Sequence, residues 1–377
     1  MQHKLREIDQ RLIQLLGKRI TALAESSTLN LEEELPNYQR ILNHAGVPDF
    51  IWQNIVIGCT ATLAHQKLSL THTKPRRVTV IGGKGVMGRF FSQQLFAAGH
   101  HVNILDTPDW EQAEYLLGEA DLVLICVPID CTLEVISRAS KYLAPTTALV
   151  DITSIKFPIV QAMLSHHTGA VIGLHPMFGS GVQSFLSQKI LVCPGRMQER
   201  LQWFLDLIES EGGKLIFATP EEHDQMMVFV QAIRHFSTLV LGAFISEENL
   251  DLQRSLDFST PIYRQEIGII SRLIAQSAPM VVDIMLATQE RRDAIARFAN
   301  TNNRLAQLVI QGDRDALISK LQEVQSFFAK EVADSFQEST HLINALTMLL
   351  AANEVKQAHL ARISETPIQQ EKVRLCK

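Results

Sequence analysis

Two short motifs place reactive types of side chain just past predicted strands. The run ALVDITSIK puts Ser154 and Lys156 after one apolar stretch, and AVIGLHPMFG puts His175 after the next. In open α/β sheets, ligands bind beyond the carboxyl ends of the strands, and a histidine there can exchange a proton near neutral pH. The alternative for His175 is a capped surface residue in a His-Pro turn. These residues are still better placed for chemistry than an average serine or histidine.

A glycine motif predicts a dinucleotide site. In VTVIGGKGVMGRFFSQQLFAAGHHVNILD, Gly83, Gly85 and Gly88 form G-x-G-x-x-G between a strand and a helix. The first glycine is expected to make the tight turn, the second to let the backbone approach a pyrophosphate, and the third to let the helix pack on the strand. The helix N-terminus adds free N–H groups for the phosphates. The alternative is a glycine turn beside a solvated aspartate.

Asp106 decides which dinucleotide is expected. It ends the second predicted strand, where a carboxylate accepts hydrogen bonds from the ribose hydroxyls, and no Lys or Arg occurs from 106 to 120 to hold a 2′-phosphate. NAD is therefore favoured over NADP. The remaining expected cofactor contacts are Val86, Met87, Val127 and Pro128.

The elements around these motifs predict an α/β fold. From residue 78, short β-branched runs alternate with helical stretches, which predicts a Rossmann-like, doubly wound parallel sheet. Two more strand candidates, 190–193 and 214–217, flank a helix. We therefore expect the NAD-binding domain to occupy residues 78–219.

Helical patterns occupy both sides of this domain. Residues 1–70 are expected to form a small helical segment, joined by a linker at 71–77. Residues 220–360 are expected to form an all-helical domain for substrate binding and dimerisation, and 361–377 a polar tail. The long apolar helical region favours a homodimer.

Composition excludes several classes of function. The net charge of −5 is spread along the 377 residues, so nothing indicates nucleic acid or an anionic membrane. The longest uncharged stretch, 50–66, is too polar to span a bilayer, and the charged start MQHKLREIDQ is not typical of a signal peptide. Five cysteines without metal-ligand or CxxC spacing favour free thiols in a reducing cytoplasm and no metal site.

Several ordered motifs are similar to those of prephenate dehydrogenases. They are GLHPMFG, the preceding SIK, the strand end CVPI, and the later EHD, QAIRHFSTLVLG and STPIYRQEI. The likeness is strongest to the bifunctional chorismate mutase–prephenate dehydrogenases called T-proteins. The resemblance implies NAD-dependent oxidative decarboxylation of prephenate to 4-hydroxyphenylpyruvate in tyrosine biosynthesis, with tyrosine as a candidate effector.

The resemblance also implies residue roles. His175 would accept the proton of the ring hydroxyl, and Ser154 would hydrogen-bond the imidazole, the substrate or the nicotinamide. Arg272 matches the family's arginine for a substrate carboxylate, and Arg264 is a second candidate about 80° away on the same predicted helix at 3.6 residues per turn.

Further positions match the family's motifs less informatively. Lys156 and His235 are the remaining candidate substrate contacts, while His223 and Arg234 match polar positions to which the residues alone assign no role. Near Val281 the family usually has an aromatic residue, so this chain departs from the family where the substrate's rim would be covered.

The first helix, LREIDQRLIQLLGKR, resembles the opening helix of the all-helical chorismate mutases. Those enzymes surround a dianionic substrate with cations. Arg19 and Gln66 match family positions, but Gln2 and Asn30 replace expected cations. We therefore expect a degenerate, structural or regulatory mutase-like segment. The alternative is a fully bifunctional enzyme.

Three other functions compete with this interpretation. An arogenate dehydrogenase would share the same motifs. The β-hydroxyacid dehydrogenases resemble one another in using a lysine on the interdomain helix, whereas no Lys occurs here from 215 to 319. A non-catalytic NAD sensor would be expected to have lost Ser154, His175 and Arg272 together, and all three are present.

Overall fold

The computed structural model describes residues 2–25, 31–63, 74–179 and 181–365. It divides into two compact units. The first unit comprises Met1–His235 and Ser277–Ala294, and the second unit comprises Phe236–Gln276 and Ile295–Lys377. The first unit thus includes the N-terminal helices, the sheet and part of the region that the sequence analysis assigned to the helical domain.

The N-terminal segment is helical, as predicted. Its helices are α1 (Gln2–Glu25), α2 (Leu31–Ala45) and α3 (Asp49–Ala61), and Gln66 lies outside the described residues. α1 has an apolar stripe at helical spacing, yet Leu5, Ile8, Leu12 and Leu15 on it are exposed. The segment therefore leaves much of its apolar surface uncovered within one chain.

The sheet of the first unit has seven strands in the order β2-β1-β3-β4-β5-β6-β7. The strands are β1 (Arg77–Ile81), β2 (His101–Leu105), β3 (Leu122–Ile125), β4 (Ala148–Asp151), β5 (Val171–Pro176), β6 (Lys189–Arg196) and β7 (Lys214–Phe217). The connecting helices are α4 (Val86–Ala97), α5 (Ala113–Gly118), α6 (Ile129–Ala139), α7 (Phe157–His166) and α8 (Gln202–Ser210). This arrangement confirms the Rossmann-like α/β fold.

The direction of the last two strands differs from the fully parallel sheet that we expected. Strands β1 to β5 are parallel, but β6 runs antiparallel to β5. No helix lies among the described residues between Pro176 and Lys189, and a parallel pair needs a crossover whereas an antiparallel pair needs only a loop. Because α8 supplies a crossover, β7 is parallel to β6.

Two apolar layers cover the sheet. One contains a cluster of aromatic rings in which Phe90 lies against Phe91, Phe178 and Phe185 with centroids 5.0–5.5 Å apart. The other packs Leu117, Ile136 and Met163 against the opposite side of the strands. Since β3 and β4 are fully buried, their near-continuous apolar runs match those of strands covered on both faces.

The remaining helices begin at α9 (Pro220–Met227), which continues through a π-helical turn, Val228–Ile233, into α10 (Arg234–Glu247). They go on with α11 (Leu252–Asp257), α12 (Pro261–Ile274), α13 (Ala278–Leu286), α14 (Gln289–Gln311), α15 (Arg314–Phe328) and α16 (Val332–Glu365). Thr260 caps α12 by accepting a hydrogen bond from the N–H of Tyr263, and Pro261 is the first helical residue, as predicted. Helix α16 extends past residue 361, where the polar tail was expected to begin.

The stretch Pro220–Glu247 is apolar. By length and composition it is the one continuous helix of the described residues that could cross a membrane. Core helices of soluble proteins pass the same test, and this stretch carries His223, Gln231 and His235.

Candidate active site

His175 lies at the end of β5 and is 4% exposed. Its Nδ1 is 2.8 Å from Nε2 of His223 on α9. Its Nε2 is 3.2 Å from Nε2 of Gln231, which lies in the π-helical turn. Such turns often occur at functional sites because they redirect a side chain. Both ring nitrogens of His175 are therefore in hydrogen-bonding distance of side chains from one continuous helix.

Asp224 anchors this arrangement to the neighbouring helix. Its Oδ1 accepts hydrogen bonds from His223 Nδ1 at 2.7 Å and from the backbone N–H of Lys156 at 2.8 Å. Its Oδ2 accepts a hydrogen bond from the N–H of Phe157 at 2.9 Å. Phe157 begins α7, so the carboxylate caps two N–H groups that a helix start leaves unpaired.

Burial sets the charge states of this cluster. Burial, and then the charges of His223, Lys156 and Arg291, hold the pKa of His175 well below its usual range. Burial also lowers the pKa of His223, although its hydrogen bond to Asp224 opposes the shift. For Asp224, burial alone would raise the pKa, but hydrogen bonds from His223, Phe157 and Lys156 lower it. At neutral pH the cluster thus holds two neutral imidazoles and one carboxylate.

Lys156 has a different environment from the one expected of a substrate contact. Its side chain is fully buried, and its ammonium forms an ion pair with Asp151 and donates to the carbonyl of Leu174 at 2.7 Å. The structure therefore does not support contact with substrate. Because Asp151 ends β4 and Leu174 precedes His175 on β5, Lys156 instead joins the two strand ends.

Ser154 contacts Arg291, which the sequence analysis did not single out, at the carboxyl edge of the sheet. The carbonyl of Ser154 accepts a hydrogen bond from Nη2 of Arg291 at 3.0 Å, and Nη1 of Arg291 donates to the carbonyl of Ile284 at 2.7 Å. Arg291 is 0% exposed. In the sequence it stands in the charged run QERRD, a pattern typical of a solvated helix face. The hydrogen-bond partners of His175 in the described part of the chain are His223 and Gln231, so Ser154 does not orient the imidazole there.

Asp224 and Gln231 were also missed by the sequence analysis. Asp224 belongs to the EHD motif that carried part of the family likeness, and Gln231 opens the motif QAIRHFSTLVLG. Their occurrence in one helical stretch was visible, but the interruption of that helix by a π turn was not. The side chains that meet His175 therefore depend on tertiary structure.

The glycine loop forms a cradle that fits a dinucleotide. Gly82 has φ of +81°, so this glycine, and not Gly83, occupies the left-handed position of the turn. A Cβ added to Gly88 would lie 2.2 Å from the carbonyl oxygen of Gly82, so helix α4 packs on the turn as predicted. Only a chain without side chains at both positions can form this loop.

A cavity of about 340 Å³ opens beside this loop. Of the expected cofactor contacts, Gly85, Asp106, Val127 and Pro128 line it. Gly83, Val86, Met87 and Gly88 do not; Met87 packs instead against the aromatic layer. The sequence analysis missed Trp110 and Arg138, which also line the cavity, with the Arg138 guanidinium 4.1 Å from the Trp110 ring centroid.

The surroundings of Asp106 are less free of cations than expected. The N–H of Lys84 donates to Asp106 Oδ2 at 3.2 Å, and Lys84 Nζ lies 3.9 Å from the same oxygen and 3.3 Å from Asp109 Oδ2. The expectation considered only residues 106–120 and therefore missed a lysine that comes from the glycine loop.

The other predicted site residues lie in several places. His235 is buried, and its Nδ1 donates to the carbonyl of Gln231 at 2.6 Å. Arg264 and Arg272 share helix α12 of the second unit; Arg264 donates to the carbonyl of Leu256 at 3.2 Å, and Arg272 is exposed. Arg19 lies over the ring of Trp52, 5.4 Å from its centroid.

Comparisons with known proteins agree with this architecture. Residues 80–217 match the family described as "Prephenate dehydrogenase, nucleotide-binding domain", and residues 219–323 match "Prephenate dehydrogenase, dimerization domain". The solved prephenate dehydrogenase from A. aeolicus in complex with hydroxyphenyl propionate and NAD+ superposes with a TM-score of 0.54 at 20% identity, over 70% of this chain and 99% of that one. That similarity shows a shared fold.

Two curated relatives extend the match to the N-terminal segment. The T-protein of Enterobacter agglomerans is 34% identical over 361 residues, which are 92% of this chain and 96% of that protein. The T-protein of Haemophilus influenzae is 32% identical over 373 residues, which are 95% of this chain and 97% of that protein. The chain therefore belongs to the prephenate dehydrogenase family.

Proposed function

We propose that this chain catalyses the NAD-dependent oxidative decarboxylation of prephenate to 4-hydroxyphenylpyruvate. The observation that carries the proposal is a buried, neutral His175 at the carboxyl edge of the same sheet that holds the dinucleotide cradle. A neutral imidazole can accept a hydroxyl proton at the moment when the adjacent carbon is oxidised. The family membership supplies the substrate class.

His175 would act as the base, and the arginines would bind the substrate carboxylates. Nε2 of His175 takes the hydroxyl proton, so the electron pair of the O–H bond forms the new C=O bond. Bound NAD supplies the acceptor for the hydride that leaves the same carbon. The bond between the opposite ring carbon and its carboxylate then breaks and carbon dioxide leaves. Its electron pair passes through the ring to the carbonyl oxygen, which takes up a proton to become the phenol hydroxyl of the aromatic product. Arg272, and secondarily Arg264, would each hold a substrate carboxylate, as bidentate arginines do.

Several finer roles remain part of the proposal. Ser154, a half-buried residue just past the end of β4, is proposed to contact the substrate or the nicotinamide. His235 is proposed as a polar contact for the substrate. Feedback by tyrosine is proposed on the family resemblance, and a cytoplasmic location on the cysteine spacing and the charged N-terminal sequence.

We also propose that two copies of the chain form a homodimer. The match of residues 219–323 to a dimerization domain supports this. The apolar stretch Pro220–Glu247 leaves Phe229, Val240 and Phe244 more than 40% exposed, and surfaces of this kind usually mark a contact with another chain. Sedimentation equilibrium should give twice the mass of one chain.

The decisive experiment is steady-state NADH formation with prephenate, arogenate and chorismate offered separately. We expect rapid turnover with prephenate, little with arogenate, and none with chorismate. Faster turnover with arogenate would reassign the chain to the arogenate dehydrogenases. No turnover with either cyclohexadienyl substrate, together with intact NAD binding, would instead favour the non-catalytic sensor.

A further inference from the structure

The hydrogen atoms of the His175 cluster follow from its chemistry. The carboxylate of Asp224 can only accept hydrogen bonds, so its 2.7 Å contact with His223 requires the hydrogen to lie on His223 Nδ1. A neutral imidazole carries one N–H. Nε2 of His223 is therefore an acceptor.

The position of the hydrogen on the neighbouring ring, that of His175, follows from the same chemistry. His223 Nε2 lies 2.8 Å from Nδ1 of His175, and a contact of that length needs one hydrogen between the two nitrogens. Since His223 Nε2 has none to give, His175 Nδ1 carries it. Nε2 of His175 then presents its lone pair to the amide nitrogen of Gln231 at 3.2 Å.

The orientation of Gln231 agrees with this assignment. A reversed amide would set its oxygen lone pairs against the lone pair of His175 Nε2. In the orientation present, Oε1 of Gln231 is buried and has no hydrogen-bond partner among the residues that the structure describes. A buried acceptor without a donor carries a free-energy cost unless a ligand satisfies it.

Asp224 is held firmly enough to direct this chain of hydrogen bonds. Two backbone N–H groups at the start of α7 bind its two oxygens, and the positive end of a helix favours a negative charge. Its position therefore does not depend on His223 alone.

We infer that His223 and Asp224 are positioning residues that fix the tautomer of His175, so that the Nε2 lone pair meets the substrate hydroxyl, and that stabilise the positive charge formed there. This inference rests on the proposed function of His175 as the base. The side-chain amide of Gln231 donates a hydrogen bond to Nε2 of His175 until the substrate hydroxyl takes its place. The three side chains act through His175 and not on the reacting carbon.

Proton uptake shows why the arrangement matters. When Nε2 of His175 gains a proton, its Nδ1–H already points at His223. Transfer of that hydrogen breaks the Nδ1–H bond of His175 and forms an Nε2–H bond on His223, which places the charge next to Asp224. No net charge is created in this second step.

Cations surround the His175–His223 pair, and a carboxylate is needed to offset them. Lys156 after β4 and Arg291 on α14 are cations that disfavour an imidazolium at His175. Asp151 is paired with Lys156. His235 on α10 donates to the carbonyl of Gln231. Asp224, on the helix that carries His223, is therefore the carboxylate that offsets these cations at the His175–His223 pair.

The test combines spectroscopy with kinetics on the full-length enzyme. ¹⁵N NMR of histidine-labelled protein reports which ring nitrogen carries hydrogen. We expect the wild type to show His175 protonated on Nδ1 and unprotonated on Nε2. Asp224→Asn and His223→Phe should lose this single tautomer and lower kcat about 10- to 1000-fold, with the Kd for NAD changed less than about twofold.

The pH profile separates positioning from simple loss of structure. Removing the negative charge of Asp224 disfavours the imidazolium, so the acid limb of kcat should move to lower pH in Asp224→Asn. His167→Asn is a matched control, because His167 is another buried histidine, bonded to the Thr147 carbonyl at 2.8 Å outside the cluster. It should keep the tautomer, kcat and the acid limb of the wild type.

Three results would overturn the inference. One is His175 hydrogen on Nε2 in the wild type, a result that needs no variant to fold. Another is an unchanged kcat and acid limb in Asp224→Asn. The last is an equal loss in His167→Asn, which would show a nonspecific effect. Prephenate inertness in the wild type would refute the proposed function, while the NMR result would still decide the tautomer.

Discussion

His223 Nε2 lies 2.8 Å from His175 Nδ1, and both rings are nine-tenths or more buried. The two residues come from different elements, the last strand of the parallel set and the first helix after the sheet. A buried imidazole pair of this kind leaves one nitrogen of His175 for chemistry.

Replacing His175 by Asn should lower kcat about 10²- to 10⁴-fold, since general-base assistance is of that size. An amide retains polarity but cannot take a proton at neutral pH. Nucleotide binding should survive, because His175 does not line the cofactor cavity. Stopped-flow or steady-state NADH formation measures the rate, and fluorescence titration measures NAD binding. A rate within a few-fold of the wild type would show that another group is the base.

Arg272→Ala should act on substrate affinity. A charge-assisted contact to a carboxylate contributes about 1.5–3 kcal/mol, so KM for prephenate should rise tens- to hundreds-fold while KM for NAD changes little. Lys320→Ala is a suitable control, because Lys320 is a cation of the same unit that pairs with Glu323 on α15. An unaltered prephenate KM would remove Arg272 from the site.

Asp106 and Lys84 should set cofactor choice in opposite directions. Asp106→Ser removes a charge that repels a 2′-phosphate and should narrow the preference for NAD over NADP. Lys84→Ala removes a cation 3.9 Å from that carboxylate and should widen it. The ratio of kcat/KM values for the two dinucleotides measures both. Higher wild-type kcat/KM with NADP would contradict the assignment of NAD.

The folded protein should lose stability in mild acid. Burial lowers the pKa of His100, His167, His175, His223 and His235. These groups titrate near 6.5 when unfolded, so below that pH the unfolded chain binds more protons than the folded one. The free energy of unfolding should be greatest above about pH 6.5 and fall as the pH drops through the lowered values.

Denaturant titrations at pH 7.5 and 5.5 test this dependence. His167→Asn should weaken the pH dependence, because it removes one of the five groups. A free energy of unfolding that is equal at the two pH values would contradict the prediction.

The N-terminal segment should convert little or no chorismate to prephenate. Only Arg19 and Arg40 offer cations between residues 19 and 66, and Arg19 is already stacked on Trp52. Gln2 and Asn30 each stand where a cation is expected. Each missing charge-assisted contact costs about 1.5–3 kcal/mol of transition-state stabilisation, so the two together lower the rate by several powers of ten. Chorismate loss without NAD measures the activity. A kcat of about tens per second, ordinary for an enzyme, would make the bifunctional alternative correct.

Deleting residues 1–70 tests whether the dehydrogenase reaction needs the N-terminal segment. The dehydrogenase rate should persist, because His175, His223 and the glycine loop lie beyond the deletion. The exposed apolar stripe on α1 leads us to expect a weaker dimer. Loss of NADH formation in the truncated chain would show that the segment supports the catalytic unit.

Local patterns were sufficient to predict the strands, the glycine loop and the position of His175. Each depends on a short apolar run followed by a turn residue, and the fold places such residues at one edge of the sheet. The antiparallel β6 was not predicted because the sequence does not show whether a helix or a loop precedes a strand. The left-handed turn at Gly82 was ambiguous because two glycines are adjacent.

The site was predicted less completely than the fold. Lys156 has the residue type of a substrate contact, but only packing shows that it is an internal ion pair. Gln231 meets His175 from far along the chain, and Asp224 acts on it only through His223. Arg291 is buried although it lies in a run that is typical of a solvated surface. Periodicity describes one element at a time, whereas these contacts join several.

The double contact of Asp224 with the start of α7 has a consequence for how the base can be observed. The amide hydrogens of Lys156 and Phe157 are bound to the same carboxylate that binds His223. They can exchange with deuterated solvent only when those contacts open. Their protection factors therefore measure, without any substrate, how often Asp224 releases the start of α7.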